Sequence, residues 1–251
     1  PAFTGTRVFT SYDVAELVPY IDWTPFFATW ELKGRYPAIL EDEKYGAEAR
    51  RLLDDARLML GRIVDERWLQ PKAVIGFWPA NAEGDDIRLF AGESRTDALA
   101  TFHGLRQQMQ KRDARPNLCL SDYVAPVGAR PDWIGGFAVT AGMAEDRIAQ
   151  RFARANDDFA SIMVKALADR IAEAFAERMH ERVRREFWGY APDEQLSAEE
   201  IIGEGYRGIR PAPGYPAQPD HTEKATLFRL LDAERRIRVA LTESFAMWPG
   251  A

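Results

Sequence analysis

The stretch RPAPGYPAQPDH (residues 210–221) concentrates side chains suited to holding a small polar ligand. Arg210 can grip a carboxylate with parallel N–H donors, Tyr215 offers a flat apolar face with one hydroxyl, and His221 closes the segment. Four prolines fall within its first ten residues. Proline presets φ and lowers the entropy lost on ordering, while Gly214 can take backbone conformations closed to other residues. Such a loop is stiff, and stiffness suits a binding wall. The plainer alternative is a rigid surface connector with Tyr215 as a buried peg.

Acidic candidates lie elsewhere in the chain. Lys165, Asp169, Glu173 and Glu177 recur at four-residue spacing, on a helix flank distinct from its apolar stripe. They form either a solvated face laced with weak ion pairs or the lining of a groove that receives a cation. Asp22 sits among the rings of YIDWTPFF, where an unpaired carboxylate is costly to bury. The same residue can equally serve as the N-cap of a helical turn starting DWTP.

Other classes of chemistry are disfavoured. GEGYRG (203–208) matches the dinucleotide fingerprint letter by letter, but that mechanism needs a strand before it and a helix N-terminus after it. Here it follows the helical SAEEII and runs into Pro211 and Pro213. A single cysteine, Cys119, excludes an intrachain disulfide, and with three scattered histidines (His103, His180, His221) it gives no zinc spacing. A net charge of −6, with basic residues dispersed in short clusters, argues against nucleic acid as a partner. Apolar runs are too short to cross a bilayer and no signal segment opens the sequence, so no membrane partner and a reducing cytoplasm are expected.

The elements that must position these residues follow from periodicity. A short helical turn is expected at Val14 to Val18, before the aromatic YIDWTPFFATW, which demands burial. Leu52, Leu53, Ala56, Leu60 and Ile63 recur at three- and four-residue spacing and predict an amphipathic helix over 41–68. AVIGFW (73–78) and DIRLF (86–90) predict two antiparallel strands joined by a loop beginning PANAEG, followed by a helix at about 97–112. WIGGFAVTA (133–141) reads as a buried strand whose paired glycines permit close approach. Phe159, Met163, Leu167, Ile171, Phe175, Met179, Val183 and Phe187 stand four apart on the longest helix, over 155–187. A final helix is expected over 222–238, opened by an Asp220–Glu223 capping box. Central strands with helices on either side indicate an α+β fold with a mainly antiparallel sheet.

YIDWTPFFATWELKGRYPAILED, DWIGGFAVTAG, KALADRIAEAFAERMHERVRREFWGYAPDE, GIRPAPGYPAQPDHTEKATLF and LTESFAMWPGA together resemble the C-terminal activation domain of cobalamin-dependent methionine synthases, from about residue 7 to 251. The resemblance implies a single C-shaped domain, non-Rossmann, with a twisted antiparallel sheet and flanking helices. It also implies a role: binding S-adenosylmethionine and presenting its methyl group to cob(II)alamin, carried by a partner cobalamin-binding domain, while a flavodoxin or flavoprotein reductase supplies an electron. Ligand contacts would fall on Asp22, Glu173, Arg210, Ala212 and Tyr215. Arg210 would hold the methionyl carboxylate, Ala212 would contribute backbone hydrogen bonds, and Tyr215 would stand near the methyl group. Asp169 and His221 would form the edge that meets the cobalamin module.

Two departures from the family pattern stand out. Gln218 occupies a position where the family commonly has cysteine, so thiol chemistry is not required there. Family members also continue beyond the MWPGA segment into a stretch that supplies further ligand contacts, so residues 1–251 are expected to lack the extreme C-terminal part of the domain. No Asp-x-His-x-x-Gly motif or cysteine cluster is present, so this chain is not expected to turn over homocysteine by itself. The alternative function is a docking module for the cobalamin domain and reductase without ligand binding of its own. An autonomous methyltransferase is disfavoured, because no general base near a pocket can be named.

Overall fold

The computed structural model describes residues 1–111 and 115–249. A strand β1 (Gly5–Phe9) leads into α1 (Val14–Leu17), a 3-10 turn at Val18–Tyr20 and α2 (Trp23–Thr29). A second 3-10 turn precedes α3 (Gly46–Asp65), so the helix expected from residue 41 begins later. The sheet is completed by β2 (Lys72–Glu83), β3 (Asp86–Phe90), β4 (Ala98–Phe102) and β5 (Asp132–Thr140). Helices α4 (Glu145–Arg154) and α5 (Asp158–Arg182) follow, and a π-helical turn at Val183–Phe187 extends α5. The remaining elements are α6 (Ala198–Ile202), α7 (Glu223–Leu231), α8 (Ala233–Ile237) and the two-residue strands β6 (Ala240–Leu241) and β7 (Met247–Trp248).

Every strand pairing in the sheet is antiparallel, as expected for α+β and against any βαβ nucleotide fold. The hub is β2, paired with β5 along one edge and, along the other, with β1 and then β3. The expected loop at PANAEG is therefore mostly strand. Pro79 lies between the β1 pairing, which ends at Phe77, and the β3 pairing, which begins at Ala80, where that edge requires no ladder donor. Alternate β2 residues face two cores: Ala73, Ile75 and Phe77 toward α5, and Val74, Trp78, Ala80 and Ala82 toward α7 and α8. At Gly135 a Cβ would come within 2.6 Å of the Phe77 ring, which is the close approach the glycine pair in β5 permits.

Three further expectations are corrected. The segment expected to be helical at 97–112 instead supplies β4, because the free edge of β3 pairs with ALATF; residue 112 lies outside the described residues. The final helix breaks at Asp232, which takes left-handed φ and ψ and separates α7 from α8. The Asp220–Glu223 capping box does not form: Asp220 accepts from the N–H and hydroxyl of Thr222, and Glu223 is buried.

The long apolar stripe is present, with α5 starting at Asp158 under an Asp157 cap. Met163, Leu167, Ile171, Phe175 and Met179 are buried, and so are Ala166, Ala168, Ala172 and Ala174 on other faces. Alanine lets neighbours approach α5 from several sides at once. Phe159 departs from the stripe: it is 44% exposed, its ring set against Trp30. No helix among the described residues is long and apolar enough to cross a membrane.

Candidate functional site

Helix α5 carries Asp169 and Glu173 and receives Arg210. The 3-10 turn before Asp22 is fastened to it through Tyr20, whose hydroxyl donates to Glu181 at 2.6 Å. Burial, reinforced by that carboxylate, pushes the Tyr20 phenol up to about 12. Arg178 donates to the same Glu181 oxygen at 2.6 Å. Two residues beyond Tyr20, Asp22 is the N-cap of α2, with Oδ1 accepting from the N–H of Thr24 at 2.9 Å. The cap reading of DWTP is thus correct. It also fixes the carboxylate at the start of α2, whose Trp23, Phe26 and Phe27 are buried.

Along α5 the charged stripe forms no Lys165–Asp169 pair. Lys165 instead crosses to Asp146 of α4, at 2.8 Å. Asp169 and Glu145 lie close enough to repel one another. Loss of hydration, with that repulsion added, pushes Glu145 up to about 7, and the Oε2 of Glu145 is shielded from solvent without a partner. Asp169 is also raised, by loss of hydration first. Glu173, one turn on, is 62% exposed and accepts from both terminal guanidinium nitrogens of Arg170, Nη1 and Nη2, at 2.6 and 2.8 Å.

The loop at 210–218 is a closed turn. The N–H of Gly214 donates to the carbonyl of Gln218 at 2.7 Å, Gln218 N–H donates to Tyr215 at 2.9 Å, and Tyr215 N–H donates to Ala212 at 3.0 Å. Its far end is pinned to the sheet, because buried Gln218 donates from Nε2 to the carbonyl of His103 at 3.0 Å. Gly214 has φ +108°, and a Cβ there would come within 2.4 Å of the His221 ring. Glycine is therefore required both by conformation and by the imidazole seated on it. The Nδ1 of that ring accepts from Lys224 at 2.6 Å. Tyr215 is 63% exposed, which rules out the buried peg and leaves its face free for contact.

Arg210 reaches α5, but its partner is Glu177 rather than Glu173: Nη2 donates to Oε1. Burial raises the Glu177 carboxyl even though Arg210 pulls it the other way. Next to this pair lies a buried knot. Arg184 donates from Nε and Nη2 to Glu194 at 2.6 to 3.0 Å and from Nη1 to the Nδ1 of His180 at 2.8 Å, and its guanidinium lies 4.3 Å from the centre of the Tyr206 ring. Since Nδ1 accepts, His180 is the neutral tautomer with its proton on Nε2, and desolvation, with Arg184 beside it, pushes it down to about 3.

The structure thus gathers Ala212 and Tyr215 in one closed turn, with the His221 ring packed on its Gly214 and Arg210 reaching from just before it to α5. Asp22 and Glu173 make no direct contact with that loop. Two open clefts of the surface, one lined by residues between Asp122 and Asp132 and one by residues between Ala225 and Leu241, contain none of these residues. No group of three or more metal-ligating side chains occurs among the described residues.

The family model for the activation domain of vitamin B12-dependent methionine synthase matches residues 13–251. The chain belongs to this family. It is also similar to a crystal structure of the MetH reactivation domain bound to AdoHcy, with a TM-score of 0.93 and 54% sequence identity, over 98% of this chain and 76% of that one. The fold expected of a methionine synthase activation domain is therefore the fold observed.

Two residues of this activation domain were missed as site candidates by sequence reading. Glu177 was visible only as the last member of a charged stripe, and its partner lies 33 residues away, beyond any local pattern. Glu145 sits in the first turn of α4, where an acidic residue is ordinarily a dipole partner, and gives no signal of its closeness to Asp169.

Proposed function

We propose that this chain binds S-adenosylmethionine, with the methionyl carboxylate on Arg210, and presents the methyl group to cobalamin held by the cobalamin-binding domain of a methionine synthase in the cytoplasm. The reaction served is the rescue of the enzyme after its cofactor has been oxidised to cob(II)alamin. Asp22 and Glu173 face the ammonium group, the sulfonium side or the polar groups of the nucleoside. Ala212 contributes backbone hydrogen bonding, and Tyr215 stands near the methyl group and the corrin face. A flavodoxin or flavoprotein reductase supplies one electron. The cobalamin, reduced by that electron, would take up the methyl group with its own electron pair as the carbon–sulfur bond breaks and its pair stays on sulfur, so that S-adenosylhomocysteine remains. Asp169 and His221 form the edge that meets the cobalamin domain.

The supporting observation is the 54% identity to a domain whose structure holds AdoHcy, the demethylated form of the proposed ligand. The internal geometry agrees with it: a hydrogen-bonded turn over Ala212 to Gln218 exposes Tyr215, and the half-buried Arg210 stands two residues before it. Calorimetric titration with S-adenosylmethionine tests the reading. Binding is expected, and Arg210→Ala should weaken it by about 1.5–3 kcal/mol, the range for a charge-assisted hydrogen bond. Equal affinity in the variant would remove Arg210 from the site. No binding by the unaltered chain would leave a docking module for the cobalamin domain and its reductase.

A further inference from the structure

The ion pair between Arg210 and Glu177 is half made. A guanidinium can meet a carboxylate with two parallel N–H donors, and Arg184 engages Glu194 side-on in that manner. Toward Glu177, Arg210 uses Nη2 alone. Its Nε and the Oε2 of Glu177 are both shielded from solvent and have no partner. Each such buried, unsatisfied atom is a standing cost. Both belong to one pair at the wall of the candidate site, with the side chains only 25% and 18% exposed.

We propose that Glu177 occupies Arg210 while no ligand is present, and yields it to the ligand carboxylate by taking up a proton from solvent. The proposal rests on the assignment of Arg210 as the carboxylate anchor. The arriving carboxylate takes Nη2 together with the unpartnered Nε, which completes the fork. Glu177 is then left without its cation, and a new O–H bond forms on its carboxyl group as a buffer acid in solvent gives up the proton. No group is oxidised or reduced.

The surroundings favour this exchange. Facing Glu177 from the loop are Arg210, Glu204 and Tyr206, and from α5 and its extension Arg184, with His180 beyond. Once Arg210 is neutralised by the ligand, the carboxylate of Glu177 keeps the repulsion of Glu204 and its own desolvation. Arg184 cannot compensate, since Glu194 already balances its charge. Burial has raised the Glu177 carboxyl even with Arg210 in place, so losing that partner moves it further in the same direction. Glu177 is thus a specificity-determining residue. A ligand with a carboxylate releases it, and an adenosyl compound without one does not.

The test is calorimetric titration of S-adenosylhomocysteine into the chain at pH 7.5, in two buffers with different ionisation enthalpies, beside the Glu177→Gln variant. The wild type should take up protons on binding. The variant should take up none and bind about three- to tenfold more tightly, because the amide is a weaker competitor for Arg210. Equal melting temperatures and circular dichroism would show that the variant is folded. Binding without proton uptake, or equal uptake by the variant, overturns this inference and leaves the binding reading intact. No binding by either protein overturns both.

Discussion

Arg184, on the π-helical extension of α5, and Arg210, which reaches α5 from the proline loop, each meet a largely buried glutamate, yet they are finished to different degrees. Arg184 is fully buried and spends its donors on Glu194 and His180, with Tyr206 stacked on its face. Arg210 makes one bond to Glu177, and one atom on each partner stays unsatisfied. A saturated network of buried charges rigidifies; an unsaturated one keeps capacity for something that arrives later. The contrast separates the part of this polar layer that holds the fold from the part proposed to receive a ligand.

The largest expected effect probes the saturated side. Arg184→Ala leaves Glu194 and the Nδ1 of His180 without partners in a closed environment, and should cost about 3–5 kcal/mol in urea unfolding. A loss below about 1 kcal/mol would mean that the network is no more structural than a surface pair, and the contrast would collapse.

His180 gives the next effect, through acid. Its folded-state value of about 3 lies below the ordinary histidine value near 6.5, so the unfolded chain binds the extra proton first. Stability from this group is complete above pH 6.5 and drains away as pH falls toward 3, by on the order of 3 kcal/mol. In His180→Gln, whose side-chain oxygen can still accept from Arg184, that contribution to the slope should vanish. Denaturant titrations of both proteins between pH 7 and pH 4 would reveal it, and parallel curves would show that the buried imidazole is not the acid-sensitive element.

Arg210→Ala should cost far less stability than Arg184→Ala. Its pair is partly exposed and already incomplete, and Glu177 can take a proton when left alone, so unfolding free energy should fall by about 1 kcal/mol or less. A variant with nearly unchanged stability and much weaker ligand binding sharpens the comparison. A stability loss as large as that of Arg184→Ala would merge the two regions into one structural network.

The same division explains what could be read before the fold was known. Long, repetitive burial announces itself: α3 and most of the α5 stripe were evident because apolar residues recur over many turns of helix. The proline loop was also evident, since its residue types limit its backbone whatever surrounds it. ALATF was misread as helical because its strand character comes from the edge of β3, a partner that no local pattern declares. The capacity of Arg210 to grip a carboxylate is legible from its residue type; the pairing of Glu177 is not, because what distinguishes it from its exposed neighbour Glu173 is a contact made across 33 residues. Sequence reveals which residues have chemical capacity, and only packing reveals which of them have it left over.

Glu145 extends that idea to the edge proposed to meet the cobalamin domain, and carries the smallest prediction. Like Glu177 it has an oxygen that is shielded and unpartnered, and burial with Asp169 nearby raises it to about 7. A carboxyl raised in the folded state is penalised only when ionised, so the cost is complete above pH 7 and is gone below pH 4.5. Because the group keeps contact with solvent, screening reduces the penalty to about 0.5–1 kcal/mol. Glu145→Gln should therefore be the more stable protein at pH 8 and equal to the wild type near pH 4.5, a trend opposite to that of His180. If the variant gains nothing at pH 8, the carboxylate is already compensated, and the spare capacity of this layer is confined to Glu177 and Arg210.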